Sequence, residues 1–364
     1  MSAAPESTVI DTVIIDSEID GAVISETAEH YTRLRTTVGH YSASAGPVAL
    51  TGLERGELLG RSLARDSEYV EPDTVRESLL LNADGTVGDA VTHLELDDAS
   101  WLLPHSRTGL DLLLTATAEA AELSDIEITA MDGTHTATAF EGPRAWRIAE
   151  QLIDFEISSL VLHGAAPVNL PGSSAPAVLA RIGSTGEYGY LLLAPVEAGA
   201  EQWVAEQAAA LGGGPVGGAA LARARMEVRH PQVPAQTDGL TVREAGLEWL
   251  VGWNREEEFH GSEALAELAG TEPVRSLITL IGTDGSTPAP GAEIRAAGTV
   301  IGRVHLVAPS VGTGTELALG LLDRPFDVPG LDLTTTAADG SSVQLRTAAS
   351  PVVTPLSWTE RLGA

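Results

Sequence analysis

The stretch Gly183-Ser184-Thr185-Gly186-Glu187-Tyr188-Gly189-Tyr190 decides how this chain is read. One carboxylate and two phenol rings stand among glycines, and mostly apolar runs bracket them at residues 177–182 and 191–194. This pattern predicts two buried strands joined by a tight turn. Such a turn brings a carboxylate and an aromatic ring to a pocket wall. A flat, nitrogen-rich heterocycle needs both, the first to accept its N–H donors and the second to stack on its face. Glycine-punctuated hairpins are common, so the weight of the motif rests on its companions.

Composition narrows the field. A chain of 364 residues that is 43% hydrophobic has room for two or three domains and a sizeable core. No apolar run reaches the length of a membrane span. The first residues carry no basic region ahead of an apolar one, so no secretory leader is expected. There is no Cys, which removes disulfides, thiolate metal sites and Cys nucleophiles and suits a cytoplasmic enzyme. The net charge is −30, and all 21 basic residues are Arg. Without Lys there is no lysine Schiff base and no P-loop. Such acidity argues against nucleic acid as a partner, since phosphate binding needs dense positive charge. It reads instead as a solvated acidic surface. The nine His form no H-x-x-x-H or H-E-x-x-H pattern, so no metal site is expected.

Along the chain, a helix is expected over 26–37, a strand entering a turn over 46–53 and a helix over 54–63. Strands follow over 87–96 and 100–104, then a helix over 108–123. A hairpin is expected from 126–131 to 134–140 around Asp132-Gly133. Helices are expected over 144–152, 198–211 and 219–228. From residue 271 onward, short β-rich segments alternate with Gly, Pro and Asp turns, the texture of a separate sandwich or barrel.

Further segments accompany the opening motif in a fixed order. They are Leu81-Asn82-Ala83-Asp84-Gly85-Thr86-Val87-Gly88-Asp89, Phe140-Glu141-Gly142-Pro143-Arg144-Ala145, Arg225-Met226-Glu227, Glu244-Ala245-Gly246-Leu247-Glu248-Trp249-Leu250-Val251, Phe259-His260-Gly261-Ser262-Glu263-Ala264-Leu265 and Ile301-Gly302-Arg303-Val304. With them the chain resembles the aminomethyltransferase (glycine-cleavage T-protein) family, which includes tetrahydrofolate-dependent demethylases. The resemblance covers roughly residues 45–325.

It implies an α+β fold: a three-domain cloverleaf around a central folate site, antiparallel sheets with flanking helices and a C-terminal all-β barrel or jelly-roll-like domain. The expected units are residues 1–45 with 135–270, residues 46–134, and residues 271–364. The resemblance assigns Asp89 to the chemistry at the folate nitrogens. It assigns Glu187 to the pterin amino edge, Tyr188 and Trp249 to the ring faces, and Arg225, with Glu227, to the same site. His105 falls where the family has an Asn at the folate edge. Each has a plainer reading: Asp89 as a strand-start residue, Glu187 as a solvated turn carboxylate, Trp249 as packing, His105 as a structural histidine. Arg225 and Glu227, two apart on a helix, do not face each other.

Departures from the family cluster on the donor side. The usual second Asp is Ala90, a Tyr is replaced by Glu77, and the D-V-S-H-M run reads Ser42-Ala43-Ser44-Ala45-Gly46. These changes favour a tetrahydrofolate-dependent transferase or demethylase acting on a small N- or O-linked one-carbon donor. The alternative is a glycine-cleavage T-protein proper, whose partner would be a lipoyl carrier protein. A non-catalytic folate-binding assembly or repair factor is disfavoured, because its K-G-C-Y-x-G-Q-E segment has no counterpart at residues 258–263.

Overall fold

The computed structural model describes residues 21–363 apart from positions 45, 68, 108, 254, 256 and 314. Residues 1–20 of the first expected unit lie outside the described residues. Three sheets organise the chain. A six-stranded sheet runs in the order Gly214–Pro215, Gly39–Ser42, His135–Glu141, Gly189–Pro195, Pro176–Ala180, Ala165–Asn169. A five-stranded sheet runs Thr74–Leu81, Val87–Glu95, Ser100–Pro104, Val48–Thr51, Glu127–Ala130. Six strands between Arg275 and Ala348 close into a barrel filled by Leu280, Ile294, Val304, Leu322, Val343 and their neighbours.

The opening motif sits where expected. Pro176–Ala180 and Gly189–Pro195 pair antiparallel, with Leu191 opposite Ala180, and the motif is their connection. The expected 126–140 hairpin is not formed. Glu127–Ala130 pairs with Val48–Thr51 in one sheet, while His135–Glu141 pairs with Gly39–Ser42 and Gly189–Pro195 in the other. Asp132-Gly133 is therefore a crossing between sheets. Each flanking strand meets a longer or more buried partner elsewhere, and that packing overrides the local turn signal.

The layers explain where a site can form. Ala137, Ala139, Ala180 and Leu191 from the six-stranded sheet pack against Val75, Leu94 and Leu103 from the five-stranded one. Leu79, Leu81, Val87 and Ala90 pack instead against Leu247, Leu250 and Leu265 and the barrel's Leu277 and Leu319. Helices Arg55–Ser62 and Leu110–Ala120 cover the other face of the five-stranded sheet, over Leu50, Leu80 and Val91. The inner face of that sheet therefore meets two different cores.

Candidate functional site

The site lies where those two cores part. On the strand pair Thr74–Leu81 and Val87–Glu95, Val75 stands opposite Leu94, Glu77 opposite Thr92, and Leu79 opposite Ala90. Alternation puts all three rungs on one face. The first rung is buried against the six-stranded sheet and the third against the barrel side. Glu77 and Thr92 form a polar rung between them.

Other elements bring partners to this rung. His105 follows strand Ser100–Pro104, and its Nε2 lies 3.3 Å from Thr92 Oγ1. Helix Gly218–Val228 ends at Arg229, whose φ of 60° is left-handed. That reversal lets the His230 N–H donate to the Arg225 carbonyl at 3.0 Å, which holds these two side chains next to each other. His230 Nε2 is 3.1 Å from Glu77 Oε1, off-axis, so the two form an imidazole–carboxylate pair rather than an aligned hydrogen bond. Arg225 donates through Nε to Ser184 Oγ at 3.0 Å and sits 5.7 Å from the Tyr41 ring centre.

Burial alone would raise the Glu77 carboxyl, but His230, helped by His105 and Arg225, outweighs it and holds it at about 2. Burial drives His105 down to about 4; Arg225 and His230 push the same way and Glu77 opposes them. At neutral pH the rung carries an anion, and His105 beside it is uncharged. No group of three or more metal-ligating side chains occurs among the described residues.

The structure gathers only part of the expected site here. Arg225 and His105 are in it. Glu187 is buried and its carboxylate is occupied: Oε1 accepts from Arg35 Nη1 (3.2 Å) and Leu356 N (3.3 Å), and Oε2 accepts from Ser357 N (3.0 Å) and Ser357 Oγ (2.6 Å). Tyr188 faces the same C-terminal turn, its N–H donating to Ser357 Oγ (2.8 Å) and its hydroxyl to the Glu360 carbonyl (2.7 Å). Trp249 lies on a short turn, Glu248–Leu250, packed on strand Thr74–Leu81, and is 56% exposed, outside the enclosed cluster.

Asp89 points the other way. It stands opposite Leu80, whose side chain is in the helix-covered core, so it lies on the face away from Glu77. It is fully buried and accepts from Ser106 N (3.3 and 3.2 Å), Ser106 Oγ (2.8 Å) and Arg107 N (2.8 Å). Burial raises its carboxyl against those bonds. The residue of this pair that faces inward is Ala90.

Arg225 and Glu227 do point apart. Glu227 belongs to a buried knot with Arg35 Nη2 (2.7 Å), Arg223 Nε (2.8 Å) and the Tyr31 hydroxyl (2.9 Å). Glu141, before Gly142-Pro143, anchors the opening motif by accepting from Ser184 N and Thr185 N (both 2.9 Å) and Thr185 Oγ1 (2.6 Å), with the Tyr41 hydroxyl also bonded to it. Arg35, Tyr41, Glu141 and His230 were not legible as site residues. The signal for Glu141 was its place beside the Gly-Pro turn, and no pattern around Arg35 marked it.

The family model described as "GCVT N-terminal domain" matches residues 21–255. The chain belongs to this family. Curated relatives named aminomethyltransferase include those of Streptomyces coelicolor, 29% identical over 85% of this chain and 84% of the relative, and of Bacillus subtilis, 25% identical over 82% and 83%. The crystal structure of the glycine cleavage system aminomethyltransferase T from Bartonella henselae superposes with a TM-score of 0.76 at 20% identity, covering 90% of each chain, which shows the shared fold. GCVT-family membership makes the protein one of a family of transferase enzymes. The relatives back the aminomethyltransferase alternative better than the demethylase-type reading that the donor-side departures favoured. No helix among the described residues is long and apolar enough to cross a membrane.

Proposed function

We propose that the protein is a tetrahydrofolate-dependent aminomethyltransferase, a glycine-cleavage T-protein in type, that transfers a one-carbon unit from an aminomethyl donor. The observation that carries this is the polar rung of Glu77 and Thr92, with His105, Arg225 and His230 around it, enclosed between three sheets in a chain of the GCVT family.

The residues present fit one end of a reduced folate, which presents N–H donors along its pterin edge. Glu77 supplies an anionic acceptor for N–H donors. Glu187 does not fit as the acceptor in this arrangement, because the C-terminal turn fills both its oxygens. When bound, tetrahydrofolate supplies the nitrogens that take up the one-carbon unit. The protein's share is to hold and orient the ring system, exclude water through the flanking cores, and present a fixed negative charge to a developing positive one. A lipoyl carrier protein as the donor's bearer belongs to the same proposal.

Calorimetric titration with tetrahydrofolate tests it, followed by turnover with an aminomethyl donor. Saturable binding is expected; a flat titration of the folded protein would overturn the reading.

A further inference from the structure

The family resemblance assigns the binding carboxylate to Glu187 and the reactive one to Asp89, and the structure leaves neither free toward the polar rung. Glu187 is closed off by Arg35, Leu356 and Ser357, and Asp89 by Ser106 and Arg107 on the opposite face of the sheet. Glu141 and Glu227 are likewise spent on internal bonds. Glu77 differs. Its side chain is 13% exposed, His230 meets one oxygen, and Oε2 has no hydrogen-bond partner among the described residues. We infer that Glu77, oriented by His230, is the working carboxylate of the polar rung and accepts the N–H edge of the bound reduced folate. This rests on the folate reading above.

Two features support the assignment. Glu77 occupies the only polar rung on a face that is otherwise apolar at Val75, Leu79 and Leu81, and a buried carboxylate is retained there against a desolvation cost. Its surroundings also fix its charge. His230 faces it from the end of helix Gly218–Val228, Arg225 from the last turn of that helix, and His105 from the end of strand Ser100–Pro104, while Arg65 Nη1 donates to the Glu77 backbone carbonyl at 3.2 Å. His230 acts as a positioning residue: it sets the direction and ionisation of the acceptor.

The test is tetrahydrofolate binding to the full chain as wild type, Glu77→Gln, Glu187→Gln and His230→Gln, each checked for folding by circular dichroism. Gln keeps the shape of Glu77 and removes its charge, so a lost charge-assisted acceptor should weaken affinity at least tenfold. Glu187→Gln should stay within about threefold. In the His230 variant, burial acts on Glu77 with less opposition, so its carboxyl rises. Affinity should then fall as pH is lowered from 7 to 5, while wild-type affinity stays level over that range apart from protonation of the ligand itself, seen equally in both. Wild-type binding with Glu77→Gln within threefold of it overturns the inference and leaves the folate reading standing. Tenfold loss in Glu187→Gln alone, or a His230 variant with the wild-type pH profile, also overturns it. Absence of wild-type binding overturns the folate reading and this inference with it.

Discussion

Arg35 should be the most sensitive polar residue in the fold. Its guanidinium bridges two buried carboxylates, Glu227 at 2.7 Å and Glu187 at 3.2 Å, with side chains 1% and 0% exposed and Arg35 itself at 12%. Burial lowers its affinity for the proton, and Glu227 and Glu187 more than restore it. Its Nε is buried without a partner, a cost those two pairs must offset. Breaking a buried pair from one side costs about 3–5 kcal/mol, because the other charge is left uncompensated. Here each carboxylate keeps help, Glu227 from Arg223 and Tyr31 and Glu187 from Ser357, so Arg35→Gln should fall near the lower end, about 3 kcal/mol. Glu227→Gln should cost about 2 kcal/mol, and the double variant should cost less than the sum by about 1–2 kcal/mol. Urea denaturation followed by tryptophan fluorescence reads all four corners of this cycle. A loss under about 1 kcal/mol for Arg35→Gln, or additivity within about 0.5 kcal/mol, would refute the view that this knot holds the helices to the 183–190 loop.

Other outcomes follow from the same geometry. Gly189→Ala would place a Cβ 2.4 Å from the Gly183 Cα, backbone against backbone, so it should destabilise the fold by about 1–3 kcal/mol or more and loosen the loop, checked by thermal melting and proteolysis between 183 and 190. Asp89→Asn should cost about 1–3 kcal/mol in denaturation, through the donors of Ser106 and Arg107, and leave turnover within about threefold. A hundredfold loss of turnover in a folded Asp89→Asn protein would return that residue to the chemistry. Acidification should weaken the fold through His105 together with His40, His93, His135 and His305, all held below the ordinary value by burial. The folded value of His105, about 4, lies below its ordinary 6.5, so the unfolded chain binds more protons between them and stability rises with pH there. The His105 share from pH 7 to pH 4 is at most about 3 kcal/mol, and His105→Gln should remove that share of the slope in urea titrations at stepped pH. Glu77, held at about 2 against an ordinary 4.5, adds its loss only below pH 4.5.

Much of the architecture was readable because it rests on local periodicity. The strands around the opening motif, the helix ending near Val228 and the β-rich C-terminal unit all carry patterns that depend on neighbours within ten residues. What was not legible depends on distant pairing. The Asp132-Gly133 turn looks like a hairpin, and only the partners of its flanking strands show that they belong to different sheets. The direction of Asp89 needs the register with Leu80 and the irregularity between Leu80 and Leu81, where Gly88 is the extra residue. A one-residue difference exchanges Asp89 and Ala90 between faces. The fate of Glu187 is set by Ser357, 170 residues away, and no pattern around residue 187 encodes it.

The opening motif is built into the surrounding fold on several sides. Glycine is required at Gly186, where φ is +81° and a Cβ would meet Val228 and Pro355, and at Gly183 and Gly189, where two backbones touch. Those glycines let the loop lie flat between helix Gly218–Val228 and the C-terminal turn. Glu141 binds it from below through Ser184 and Thr185. Glu187 then joins it to Ser357 on one side and to Arg35 on the other, so the carboxylate is spent on assembly. A carboxylate can hold a ligand only if its own fold leaves an oxygen unclaimed. By that criterion the inferred recognising charge is Glu77 on the facing sheet, on the polar rung where the two apolar cores part.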